Sequence, residues 1–218
     1  TKSTEHKLIM AMNTEDILMK INTAKTNPEV AKLYDKWSKS YDHDLKIIRP
    51  GNKGAFKTVE WFVKYVHADA SVLDAGSGTG GVGELLFQRG YLNLTGMDIS
   101  SGMLTEAKEK NIYKELHLGG LGEELKFPKD IFEAVISVGL FTPEHPPPTN
   151  CFDELIRVTK SGGYIVFLLH NGLIDEFKVK LKELEKNAKW TLVERSPIIR
   201  TVPKSKIHPG SRVHVYQV

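Results

Sequence analysis

A chain of 218 residues that is 40% apolar and 26% charged has the composition of an ordinary globular protein and enough length to bury a substantial core. Its 30 basic and 27 acidic residues leave a formal charge of +3, too slight and too scattered to mark a nucleic-acid surface, and no apolar run approaches the roughly 18–20 residues that span a bilayer. The single cysteine, Cys151, rules out an internal disulfide and a cysteine-rich metal site; with no charged-then-apolar segment at the start, this predicts a reducing, cytoplasmic setting.

In chain order, Leu8, Ile9, Met12, Ile17, Leu18 and Ile21 predict a modestly amphipathic helix over the first 25 or so residues. Asn27-Pro28-Glu29 reads as a helix start, with a cap, a proline at the first helical position and an acid in the first turn. Val30, Leu33, Tyr34, Trp37 and Tyr41 then recur at helical spacing as an apolar and aromatic stripe. A Gly51/Gly54 break precedes another helix through Phe56, Val59, Phe62, Val63 and Val66.

From residue 71 strands and helices alternate. Strands are predicted over 71–75, 92–98, 116–118, Ala134–Val138 and Tyr164–Leu169. Helices run through Val82, Leu85 and Leu86 to a stop at Gly90, through Met103, Leu104 and Ala107, and over Cys151–Thr159, after which Ser161-Gly162-Gly163 turns into the fifth strand. A helix through Leu173, Phe177, Leu181 and Leu184 follows; its Lys178, Lys180 and Lys182 alternate with apolar residues and read as a solvated face. Strand-like segments near 190–199 and 211–218, joined by Pro203–Gly210, finish the chain. This order predicts an α/β fold, a doubly wound, mostly parallel seven-stranded sheet with a terminal antiparallel hairpin, in a single domain over 1–218 with residues 1–68 as a helical cap.

Chemistry concentrates in Val72-Leu73-Asp74-Ala75-Gly76-Ser77-Gly78-Thr79-Gly80, where an apolar strand ends in a carboxylate and breaks into alternating glycines. Glycine has no Cβ and adopts φ > 0, so such a turn brings backbone N–H groups close to a ligand. Two frames overlap here. Asp74 with Gly76, Gly78 and Gly80 suits a ligand with positive charge near the acid, whereas Gly78-x-Gly80-x-x-Gly83 reads as a dinucleotide fingerprint for an anionic pyrophosphate. Asp98, at the end of the next strand, is placed either to hold the two ribose hydroxyls of a nucleoside or to cap the following helix, a task for which Ser100 also stands ready.

The Asp74–Gly80 frame resembles the first motif of class I S-adenosylmethionine-dependent methyltransferases. Other phrases resemble the same family in order: Val30–Tyr41 with its Tyr34-Asp35 and Tyr41-Asp42 steps, Gly96–Ser100 with Met103, Phe132–Ile136, and Glu154–Gly163. Gly119–Gly122 and the Val138-Gly139 turn resemble one subfamily more narrowly. The resemblance implies a Rossmann-like methyltransferase fold and S-adenosylmethionine as cofactor. It implies Gly76, Ser77, Gly78 and Gly80 in the loop under the methionine end with Asp74 beside it, and Asp98 on the ribose. Ile99 and Met103 would be the adenine walls, Gly120 and Leu121 the adenine edge, and Ser137 with Val138 would face the sulfonium. Tyr34 and Tyr41 would come from a covering helix, although an aromatic stripe with this spacing is also what core packing produces. The chain departs from the family where Gly119-Gly120-Leu121 lacks the acid that many relatives use on the adenine amino group, and where Glu133 replaces the usual Asp.

The predicted reaction is an in-line displacement onto a small-molecule acceptor, with neither nucleic acid nor membrane as partner. Such a reaction requires orientation more than a dedicated catalytic group. Two histidines at the acceptor edge are weak candidate bases, His145 in Thr142–Pro148 and His170 after the fifth strand; a solvated loop histidine and a packed strand-end histidine are the favoured readings. Glu144-His145 before the prolines and Thr149 after them lack the amide and stacking aromatic of methyltransferases that modify nucleic acid bases. The eight histidines are dispersed without Glu or Cys at ligand spacing, so no metal is predicted. A nicotinamide-dependent oxidoreductase and a non-catalytic cofactor-binding protein are the alternatives.

Overall fold

The computed structural model describes residues 16–49, 51–200 and 209–218. Residues 16–23 are helical, while Leu8, Ile9 and Met12 of the expected first helix, and 203–208 of the segment expected to join the last two strands, lie outside the described residues. The chain continues through α1 (Asn27–Ile48), α2 (Lys53–Phe62), β1 (Val72–Ala75), α3 (Gly81–Phe87), β2 (Leu94–Asp98), α4 (Ser101–Glu109) and β3 (Glu115–Leu118). It ends with β4 (Phe132–Phe141), α5 (Cys151–Val158), β5 (Thr159–His170), a 3₁₀ turn (Asn171–Leu173), α6 (Ile174–Lys186), β6 (Thr191–Arg195) and β7 (Ser211–Gln217). No helix among the described residues is long and apolar enough to cross a membrane.

The seven strands form one sheet in the order β3-β2-β1-β4-β5-β7-β6, with β7 antiparallel to both its neighbours and the remaining pairs parallel. Strand side chains alternate between faces, and the interior splits accordingly into two cores. Ile165, Phe167 and Leu169 of β5 face α5 and α6, where Phe152, Phe177 and Trp190 are buried. Val166 and Leu168 face the layer that holds Val59 and Phe62 of α2 and Leu86 of α3.

Two predicted boundaries move for identifiable reasons. The cap of α1 is Thr26, whose hydroxyl accepts from Glu29 N, so Asn27 is the first helical residue and its side chain is released from capping. β5 begins directly after α5, because Thr159 pairs with Phe132; the predicted turn at Ser161–Gly163 is an irregularity inside the strand, with Gly162 at φ +80° and regular pairing restored at Tyr164 opposite Ala134. The order in which strands are added reverses at β1, which has β2 on one side and β4 on the other, both parallel to it, and the C-terminal ends of those strands open the crevice where doubly wound sheets bind ligands.

Candidate functional site

The loop after β1 has all three motif glycines in the left-handed region, at φ +80° for Gly76, +53° for Gly78 and +89° for Gly80. Side chains with a Cβ are strained there, which accounts for the alternating pattern. The loop is anchored across to β2: Gly76 N and Ser77 N both donate to Met97 O, at 2.8 and 2.9 Å. Gly78 N donates to Asp98 Oδ2 at 2.9 Å, and Ser100 N donates to Asp98 Oδ1 at 2.9 Å. Each carboxylate oxygen can accept more than the one bond named, and the residue lines the cleft. Burial pushes the Asp98 carboxyl above the usual carboxylate range despite these N–H groups. Capping of α4 falls to Ser100, whose hydroxyl accepts from Met103 N, which frees Asp98 from that task.

Above this loop lies a cleft with about 890 Å³ of space between its walls, partly continuous with solvent. Gly76, Gly78 and Asp98 form its base; Ile99, Met103, Gly120 and Leu121 line one side. Val138–Leu140 and the segment after β4, including Thr142, Glu144 and His145, line the other, and Tyr34 and Tyr41 of α1 contribute from above. Burial raises the pKa of both tyrosine hydroxyls, so they remain neutral. Trp37 turns into the interior instead, where Nε1 donates to Asp44 Oδ2 at 2.8 Å.

Four residues expected at the cofactor lie behind the loop rather than on the cleft. Alternation along β1 turns Asp74 to the face shared with Val72, where it is fully buried, Tyr113 Oη donates to its Oδ2 at 2.6 Å, and burial pushes its carboxyl up to about 7. Gly80 packs against the same ring, which a Cβ would meet at 3.2 Å, and the Ser77 hydroxyl is buried over Gly96. Ser137 is buried and donates to Ala75 O at 2.9 Å, fastening β4 to β1. His145 reaches the cleft, with Nε2 at 3.3 Å from Asn27 Oδ1, whereas His170 faces a neighbouring depression. Asn27 and Leu140 are lining residues that pattern reading misses. Asn27 looks like a cap, and nothing local reveals that a Cβ on Gly76 would meet Leu140 at 2.5 Å.

The dinucleotide frame has a different physical origin. Gly83 makes room for Tyr113, whose hydroxyl a Cβ there would meet at 2.2 Å. The Gly78 N–H, which a pyrophosphate would need, is already bonded to a carboxylate.

The helix α1 is held over the loop by polar ties. Asp35 Oδ1 accepts from Ser100 Oγ at 2.6 Å and from Gly102 N at 2.7 Å. Asp42 accepts from Thr79 Oγ1 at 2.5 Å and from Lys110 Nζ at 2.9 Å. The loop between β3 and β4 is held separately: Arg157 donates to Phe127 O and Leu125 O and pairs with Glu154, which accepts from Leu125 N.

A doubly wound sheet with a left-handed glycine loop at its switch point and an acid on the adjacent strand end is a nucleoside-type binding architecture. A methyltransferase domain model matches residues 73–167. Human methyltransferase-like protein 27 is 32% identical over 155 residues, covering 69% of this chain and 62% of that protein. A phosphatidylethanolamine N-methyltransferase of Cereibacter sphaeroides is 30% identical over 156 residues, covering 64% of this chain and 74% of that protein. Among solved structures, a TehB-like S-adenosylmethionine-dependent methyltransferase from Corynebacterium glutamicum shares the fold at TM-score 0.62 and 16% identity, covering 84% of this chain and 97% of that one. The chain belongs to the class I S-adenosylmethionine-dependent methyltransferases, and within them it is similar to methyltransferase-like protein 27, of which it spans about three fifths (62%).

Proposed function

We propose that this chain binds S-adenosylmethionine in the cleft above Gly76–Gly78 and transfers its methyl group to a small-molecule acceptor. The observation that carries this reading is the Asp98 carboxylate, half-buried at a strand end, fixed by Gly78 N and Ser100 N, and lining the cleft where it can accept from ribose hydroxyls. The fit extends to the rest of the cleft. Ile99, Met103 and Leu121 offer apolar walls to a base, and a Cβ on Gly78 would meet nothing within 4 Å, so its backbone is open to a ligand.

When bound, the cofactor supplies a methyl group on a positively charged sulfur, already an activated electrophile. The protein's share is to orient and enclose. Val138–Leu140 restrict the approach from the acceptor edge, and α1 with Tyr34 and Tyr41 limits water above. His145, tied to Asn27, serves as a clasp between α1 and the segment after β4. The relatives' names refer to lipid and quinone acceptors as well as to ribosomal RNA, so they do not select one. The modest charge and the absence of a basic stripe favour a small molecule. The test is incubation with methyl-labelled S-adenosylmethionine in a cell extract. Label in low-mass compounds supports the proposal, and label confined to RNA or protein overturns the acceptor class.

A further inference from the structure

Beside the cofactor cleft lies a second depression, and the two share a wall: Val138, Gly139, Thr142 and Glu144 line both. The far side of the depression comes from distant parts of the chain. Arg49 follows α1, Asn52 and Lys53 open α2, His170 ends β5, and Ser211 begins β7 opposite it. The depression therefore lies on the same sheet edge as the cofactor cleft, one strand further along.

Charge is divided across it. Arg49 and Lys53 line the depression but not the cofactor cleft, neither forms an ion pair among the described residues, and the Arg49 charge also reaches the Tyr34 and Tyr41 hydroxyls of α1. The ten-residue helix α2 opens into the same space. Its cap residue, Asn52, is left-handed at φ 35° and makes no side-chain capping bond, so the first-turn N–H groups gain no partner from it. The one acid, Glu144, is on the shared wall, and its Oε2 is buried without a hydrogen-bond partner. An anion entering the depression is thus attracted by the two cations and kept away from the Glu144 carboxylate.

We infer that this depression is the acceptor site, and that the acceptor carries a carboxylate or phosphate held by Arg49, Lys53 and the start of α2, with its nucleophilic N–H or O–H presented at Glu144. The inference rests on the methyltransferase reading of the adjoining cleft. In the transfer, a lone pair on the acceptor forms the bond to the methyl carbon. The carbon–sulfur bond breaks with its electron pair going to sulfur, and the acceptor's proton passes to the Glu144 carboxylate.

The test is a titration of the ¹⁵N-labelled protein, saturated with S-adenosylhomocysteine, with inorganic phosphate and separately with acetate. The amides of Lys53 and Gly54 should shift saturably, phosphate binding more tightly if the site suits a dianion and acetate equally well if it suits a carboxylate. In the double variant R49Q/K53Q, anion affinity should fall at least tenfold while affinity for S-adenosylhomocysteine is unchanged. In the labelled extract, the methylated compound should be retained on an anion exchanger, and the variant should incorporate at least tenfold less label. Failure of the wild-type protein to bind S-adenosylhomocysteine would refute the methyltransferase reading itself. Intact cofactor binding with no saturable shift, a shift that survives the double substitution, or label only in unretained compounds would overturn the anionic acceptor.

Discussion

Asp98 and the motif glycines do separable work, and substitutions resolve them. Asp98→Ala removes the acceptor for ribose hydroxyls; hydrogen bonds to a charged group are worth about 1.5–3 kcal/mol, so affinity for S-adenosylhomocysteine should fall by roughly ten- to a hundredfold in calorimetry. An unchanged dissociation constant in a folded variant contradicts the assignment. Gly78→Val should be worse, because it imposes a β-branched side chain at φ +53° and places it in the open cleft; normal binding would make the loop a mere turn. His214 bears on stability instead. Buried and stacked on Phe167, with Nε2 unpartnered, it is held at a pKa of about 4 by burial. The unfolded chain takes up this proton near pH 6.5, so the part of native stability that depends on neutral His214 is full above that value and is lost as pH falls toward 4, by about 3 kcal/mol in total, while the raised Asp74 carboxyl acts in the opposite sense. Chemical denaturation between pH 4 and 7 should show a shallower decline for His214→Phe, and identical slopes would remove His214 as the cause. At this scale the left-handed glycine turn and the strand-end placement of Asp98 were legible, because both are local. The true surroundings of Asp74 were not, since they depend on which face of β1 meets Tyr113, 39 residues further on.

The helix α1 differs from the elements around it in how it is attached. Val30 and Trp37 are its buried apolar residues, and Asp35 and Asp42 bind it to Ser100, Gly102, Thr79 and Lys110. Such an element opens at a local cost smaller than global unfolding, and a ligand that binds only the closed form raises that cost. Amide exchange over residues 28–45 should therefore slow markedly with S-adenosylhomocysteine while β5 changes little. Equal protection in confirmed bound and free protein would make α1 permanent scaffold and remove Tyr34 and Tyr41 from the site. The stripe of Tyr34, Trp37 and Tyr41 announced the helix, but spacing could not separate the two tyrosines at the cleft from the tryptophan in the core. Strand interiors were legible as apolar runs. Their ends were not: β4 runs from Phe132 to Phe141 and β5 from Thr159 to His170, because pairing with neighbours extends each beyond its apolar centre.

Across the whole molecule, the order of elements and the terminal antiparallel pair were legible in the alternation of patterns, and the family was carried by motifs that cluster along one sheet edge. The cations proposed to hold the acceptor were not, because Arg49 and Lys53 meet Glu144, His170 and Ser211 only after the sheet has formed and share no motif with them. The central claim is that the cleft over Gly76–Gly78 and Asp98 takes a sulfonium nucleoside rather than a dinucleotide. It is tested most directly by calorimetric titration of the protein with S-adenosylhomocysteine and, in parallel, with NADH. Saturable one-to-one binding of S-adenosylhomocysteine, lost in Gly78→Val, with no heat from NADH, is the predicted result; binding of NADH with none of S-adenosylhomocysteine would contradict it.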